Sequence, residues 1–142
     1  MPLVRISLME GKSAEYRRKI GDTVHQAMVD TINCPPQDRF QLISEHPTGN
    51  FIYAPVYLDI PHTDDLMMIQ ITLNEGRSVD LKKALFKAIA EGLQKAIGLN
   101  RRMCLSAWSR SKKKTGHLVT AWPSTPVRET YMVAPICQAL NR

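Results

Sequence analysis

Several things are scarce in this chain, and each scarcity narrows what it can be. A run of about 18 consecutive apolar residues, the least that a membrane-spanning helix takes, is absent. The opening MPLVRISLMEGKS has no basic stretch leading into a long apolar one, so no secretory leader is expected and a cytoplasmic protein without a membrane partner is. There are only three cysteines, Cys34, Cys104 and Cys137, an odd number at unrelated spacings. That pattern fits free structural thiols and neither a disulfide framework nor a metal knuckle. The four histidines, His25, His46, His62 and His117, lack metal-ligand spacing and a nucleophile partner, so no metal and no chemical role is expected of them. Acids are nearly missing from residues 103–142, which hold six Lys/Arg and the single acid Glu129. Residues 1–102 hold 13 Lys/Arg and 12 Asp/Glu. Five of the six net positive charges therefore belong to the tail, and a nucleic-acid partner for the domain as a whole is not expected.

What remains is a chain of 142 residues, 44% hydrophobic and 23% charged, enough for one soluble globular domain with its own core. Its organising feature is an internal repeat. RISLMEGKSAEYRRKI (5–20) aligns without a gap on QITLNEGRSVDLKKAL (70–85), 65 residues later. Each copy reads as an apolar strand, a Glu-Gly-Lys/Arg-Ser turn and a helix. Val4, Ile6 and Leu8 alternate with Arg5 and Ser7, as in a half-buried strand, and Met67, Ile69, Ile71 and Leu73 do the same. Gly11 and Gly76 supply the turns, and Ser13 and Ser78 stand where an N-cap accepts from free backbone N–H groups.

In the second helix Leu81, Ala84, Leu85, Ala88, Ile89, Leu93, Ala96 and Ile97 recur at three- and four-residue steps, with Gly98 as a stop. The first helix carries Tyr16, Ile20, Val24, Ala27 and Met28 on one face and ends before Pro35-Pro36, which cannot extend it. Phe40, Leu42 and Ile43 suggest a second strand, and the stretch from His46 to His62 reads as turns around a short edge strand near Tyr57. The expectation is an α/β (α+β) domain over 2–102. Two tandem β-α-β units, about 2–66 and 67–102 onward, form a four-stranded sheet with both helices on one face.

With Met1-Pro2 opening the first strand, a strand–EGKS–helix unit and its repeat, residues 2–102 resemble the tautomerase superfamily, of the 4-oxalocrotonate tautomerase-like fold. The stretch Pro35-Pro36-Gln37-Asp38-Arg39-Phe40-Gln41 and the later Glu45-His46-Pro47 resemble its malonate semialdehyde decarboxylase branch and that branch's uncharacterised relatives. The resemblance implies a catalytic secondary amine at Pro2, exposed once Met1 is removed, with Asp38 and Arg77 as partners. A free α-amino group has a pKa of roughly 7.7–8.0, and burial near cations lowers it toward a neutral base at cell pH. Arg77 would hold a carboxylate through its planar fork and steady charge developing beside it. Lys12, its counterpart in the first unit, keeps the charge without the bidentate geometry. Glu75 departs from the decarboxylase pattern, which has a second arginine there, and its carboxylate repels an anionic substrate.

The implied activity is cofactor-independent proton transfer on a small 2-oxo acid or its enol, by an isomerase assembled as a homotrimer. A runner-up is decarboxylation of a 3-oxo acid such as malonate semialdehyde, with Pro2 acting as a cation. A third reading, from another class, is a binding protein or inactive remnant, to which Glu75 and the tail lend weight.

From Met103 the style changes: both tryptophans, Trp108 and Trp122, appear, and Ser109-Arg110-Ser111-Lys112-Lys113-Lys114 has no apolar period. It lacks the pattern of a last strand. Permitted codons for Met103–Pro126, read with one G restored before the methionine codon, can encode DVFISLVEVKKENWSLGNGMAQYA, an alternating strand followed by an ending that resembles the family's. Residues 103–142 are therefore expected to be translated one base out of frame, with assembly impaired if the shift is real; the alternative is a functional basic tail. Sequencing the gene afresh checks this, with an additional base expected just ahead of the Met103 codon. Independently sequenced genes that encode SRSKKK in frame would overturn it.

Overall fold

The computed structural model describes residues 2–57, 60–74, 76–100, 104–111 and 132–135. Its elements run β1 (Leu3–Met9), α1 (Ala14–Ile32), β2 (Gln41–His46), a 3₁₀ turn (Thr48–Asn50), β3 (Val56–Tyr57), β4 (Ile60–Pro61), β5 (Met67–Asn74), α2 (Val79–Ile97), β6 (Cys104–Ser111) and β7 (Met132–Pro135). Five strands form one mixed sheet in the order β2-β1-β5-β6-β7, and β3 and β4 form a separate two-stranded ribbon.

The two copies of the repeat fold alike down to their turns. Gly11 and Gly76 take φ of 101° and 110°, a conformation that a side chain rarely tolerates. Ser13 and Ser78 are both extended, and their hydroxyls accept from the N–H groups of Tyr16 and Leu81 at 3.1 and 3.2 Å. Each cap satisfies a helix N–H that would otherwise lack a partner, worth about 1 kcal/mol.

The register shows how the units are joined. Antiparallel β1 and β5 face each other with Ile6 opposite Ile69 and Arg5 opposite Gln70. Gln70 is the residue that the 65-residue repeat assigns to Arg5, so a local twofold axis passes between them. Within the units, parallel pairing sets Val4 beside Gln41 and Met67 beside Cys104, the same step of 37 residues in each.

Val4, Ile6 and Leu8 of β1 and Met67, Ile69, Ile71 and Leu73 of β5 are buried in one cluster with Ile20, Val24 and Met28 of α1 and Leu85, Ile89 and Leu93 of α2. Both helices therefore lie on one face, as expected. The buried stripe of α2 differs in part from the expected one: Phe86 and Ala90 turn inward, whereas Leu81, Ala84 and Ala96 are exposed. The reason is that α2 packs on α1 as well as on the sheet. At the crossing, a Cβ on Gly92 would lie 2.6 Å from Cγ2 of Thr23.

Three expectations are corrected. Cys104–Ser111 does form a strand, beside β5, although its sequence lacks the apolar alternation of one. Ladder hydrogen bonds join backbone groups, and the open edge of β5 offers unpaired ones, so pairing does not wait on a side-chain pattern. The sheet has five strands rather than four, because β7 adds antiparallel to β6. The strand near Tyr57 pairs within its own ribbon, Tyr57 opposite Ile60, rather than along the sheet edge. Glu75, Lys112, Lys113, Lys114, His117, Trp122 and Cys137 lie outside the described residues.

Gly92→Ala is expected to destabilise the fold by about 1–3 kcal/mol through overpacking at the helix crossing, despite alanine's better helix propensity. Adding Thr23→Ser, which removes the opposing methyl, should recover the loss; urea unfolding of the single and double variants measures both.

Candidate functional site

A pocket of about 100 Å³ opens at the end of the sheet where β1 begins and β5 ends. Each strand-to-helix junction contributes to it. Pro2 stands just ahead of β1, and Leu73 and Asn74 end β5 beside it, because Leu3 pairs with Thr72. Arg77 follows from the turn into α2. Ile32, Asn33, Cys34, Pro35 and Asp38 come from the end of α1 and the segment after it. The three residues singled out from the sequence, Pro2, Asp38 and Arg77, thus line one pocket, although 36 and 39 residues of chain separate them.

Local structure holds each in place. Pro2 is buried at the head of a central strand. The half-buried Arg77 donates from one guanidinium nitrogen to the Asn74 carbonyl at 3.1 Å, which leaves further donors of the fork for another acceptor. Asp38 closes a turn, its N–H donating to the Pro35 carbonyl at 2.9 Å. That turn follows Asn33, which ends α1 in the left-handed region at φ 54°, a conformation asparagine tolerates better than most residues. Of the lining residues, Arg77 is the cation and Asp38 the anion, and Asn33 and Asn74 add neutral polar side chains.

Cys34, Asn33 and Asn74 were not singled out from the sequence, and only the helix-ending Asn33 before Pro35-Pro36 carries a local signal, for a turn rather than for a site. Cys34 is buried, and burial pushes its thiol pKa up; the Asp38 carboxylate pushes the same way, while the chain's N-terminal charge and Arg77 oppose it.

The twofold axis relates this pocket to the other end of β1 and β5, where the described residues pack closely on one another. Met67, fully buried, takes the position that Pro2 holds. Met9, Phe51 and Leu66 pack into a second apolar cluster with Tyr53 against it. Lys12, the counterpart of Arg77, is drawn off by Asp65, with its Nζ 2.6 Å from that carboxylate and 5.4 Å from the centre of the Tyr16 ring. Burial lowers the Lys12 pKa, but the Asp65 hydrogen bond outweighs it and the net shift is upward. Glu45 braces the same turn, accepting from the Lys12 N–H at 3.3 Å and pairing with Arg17. His46 stacks on Phe51, ring centres 5.7 Å apart. The Glu45-His46 stretch therefore supports that end and lies apart from the pocket. Among the described residues no helix is long and apolar enough to cross a membrane, and no group of three or more His, Cys, Asp or Glu could hold a metal ion.

Two family models, both described as tautomerase enzyme, match residues 2–59 and 38–103. The chain is 38% identical over 101 residues to the probable tautomerase YusQ of Bacillus subtilis (strain 168), covering 71% of this chain and 80% of that protein. The chain belongs to the tautomerase superfamily. Among solved structures it is similar to FG41 malonate semialdehyde decarboxylase inhibited by 3-bromopropiolate, with a TM-score of 0.74, 29% identity, and coverage of 82% of this chain and 91% of that one. A fused 4-OT symmetric trimer shares the fold, with a TM-score of 0.66 at 18% identity over 84% of this chain and 94% of that one. The expected family and the mixed sheet with two helices are those of these relatives.

Since Cys34 is 6% exposed and its ionisation is disfavoured, iodoacetamide near pH 8 should leave it largely unlabelled in the native protein and label it in denaturant. Peptide mass mapping separates Cys34 from Cys104 and Cys137. Fast native labelling of Cys34 would contradict the burial.

Proposed function

We propose that this chain is a cofactor-independent tautomerase that moves a proton on a small 2-oxo acid or its enol, with the amine of Pro2 as the acid-base group once Met1 is removed. The observation that carries the reading is the convergence of Pro2, Asp38 and Arg77 on one pocket in a chain whose curated relative is a probable tautomerase. In this reading the substrate carboxylate sits on the Arg77 fork. Pro2, neutral, takes the enol hydroxyl proton and delivers it to the adjacent carbon as the carbonyl forms, so one proton moves and no redox partner is needed. Asp38 polarises the substrate or a water. With Met1 retained the nitrogen of Pro2 is an amide and has no usable lone pair.

The likeness to the FG41 decarboxylase and the Asp38 stretch favour a second reading, decarboxylation of a 3-oxo acid such as malonate semialdehyde. There Pro2 stays protonated and its cation polarises the 3-oxo carbonyl while carbon dioxide leaves. Glu75 weighs against it by repelling an anion. The proposal extends to a homotrimer in the cytoplasm with no nucleic-acid or membrane partner. Supporting assembly, the sheet face away from the helices leaves Leu42 and Met68 exposed, and the fused 4-OT neighbour is described as a trimer. The out-of-frame reading of residues 103–142 also stands as a proposal, supported by family matches that end by residue 103. It keeps open the reading of an inactive remnant.

Enol-to-keto conversion of phenylenolpyruvate, followed by ultraviolet absorbance on protein whose intact mass shows loss of Met1, tests the proposal. Pro2→Ala is expected to lower kcat by about 10²–10⁴, the usual share of a general acid-base group. Arg77→Ala should act mainly on KM. Activity carried by neutral Pro2 rises with pH through its pKa, whereas activity carried by the cation falls, so the sign of the pH profile separates the two reactions. A Pro2→Ala enzyme as fast as the parent would refute both.

A further inference from the structure

Cys34 is the thiol among the lining residues, and the proton transfer proposed above makes no use of it. Its surroundings give it another role. Its N–H donates to the Met28 carbonyl at 3.3 Å, tying it to the last turn of α1. Its Sγ lies 3.5 Å from the Asp38 carbonyl oxygen and 3.7 Å from that of Pro35. The Asp38 N–H in turn donates to the Pro35 carbonyl at 2.9 Å. The carbonyls at the two ends of the turn thus converge on one sulfur. A thiol has one proton and donates to one of them at a time, and in either state it draws the turn toward the end of α1. Such contacts are weak in water, but Cys34 is 6% exposed, so water competes little for them. Pro35 and Pro36 already have fixed φ. Their ψ angles and the dihedrals of Gln37 and Asp38 complete the turn, and the thiol acts on the carbonyls at both ends of that stretch.

We infer that Cys34 is a positioning residue of this site: its thiol clamps the Pro35–Asp38 turn against the end of α1 and so sets where the Asp38 carboxylate stands in the pocket it shares with Pro2 and Arg77. The inference rests on the proposed proton transfer for its kinetic readout, and a second readout is independent of it.

The kinetic test compares Cys34→Ser, which keeps a donor, with Cys34→Val, which fills the volume without one, and Cys34→Ala, which does neither, on phenylenolpyruvate. Valine and alanine are expected to lower kcat about tenfold with KM changed less than about twofold, within what small misplacements cost, and serine to restore it to within about threefold. In an Asp38→Asn background, Cys34→Ala should cost less than about twofold more, because residues acting through one group are not additive. A valine variant equal to the parent, or losses from Cys34→Ala and Asp38→Asn that simply multiply, would overturn the clamp. If the parent protein does not convert the enol, the proposed function fails and the clamp is still decided. The ¹³Cγ chemical shift of Asp38 should change in Cys34→Val and return toward the parent in Cys34→Ser, and an Asp38 signal indifferent to both would overturn it.

Discussion

The antiparallel pairing of β1 with β5 is the constraint on which the rest depends. Its register, with Arg5 opposite Gln70, places the two halves of the repeat about a local twofold axis. The head of one strand then lies beside the tail of the other and beside the turn into the other helix. That is how Pro2 comes to share a pocket with Arg77. A slip of one residue would turn Val4, Ile6 and Leu8 away from the helices, so the burial that stabilises the core also fixes the site.

A twofold axis offers two equivalent places, and the described residues of this chain differ sharply between them. On the proposed reading the acid-base group is the secondary amine of an N-terminal proline, and the equivalent position in the second unit, Met67, has only a peptide nitrogen. That end is used for stability instead. Met9, Phe51 and Leu66 fill it, Asp65 takes up Lys12, and Glu45 pairs with Arg17. Exposed and half-exposed ion pairs of this kind contribute little each, so the apolar cluster contributes more than the pairs around it. The stretch from β2 to β5 supplies Phe51, Leu66 and Asp65.

The repeat, the capping serines, the turn glycines and the alternation of β1 and β5 were legible because each is a local physical requirement written in consecutive residues. Gly11 and Gly76 share a positive φ that their place in the repeat already implied. The α2 stripe was legible in part: Leu85, Ile89 and Leu93 are buried, but Phe86 and Ala90 face inward through contact with α1, which no single-helix period contains. β6 was missed because its pairing is made by backbone groups against β5 rather than by its own side-chain pattern. Cys34 read as an inert thiol, and its burial agrees with that. Its contacts with the Pro35 and Asp38 carbonyls lie within four residues of it, but no side-chain period or turn motif marks a thiol for that place.

By itself the sequence determined the repeat with its β1-α1 and β5-α2 units and the family resemblance, and it pointed to Pro2, Asp38 and Arg77 as candidates, since periodicity, turn chemistry and motif are properties of neighbouring residues. Only the tertiary structure decided the register that sets Arg5 and Gln70 about the axis, the pocket at one end of it, and the company of Cys34, Asn33 and Asn74 in that pocket. Those outcomes depend on contacts between residues tens of positions apart, whose geometry is settled when the sheet and the two helices pack together and not before.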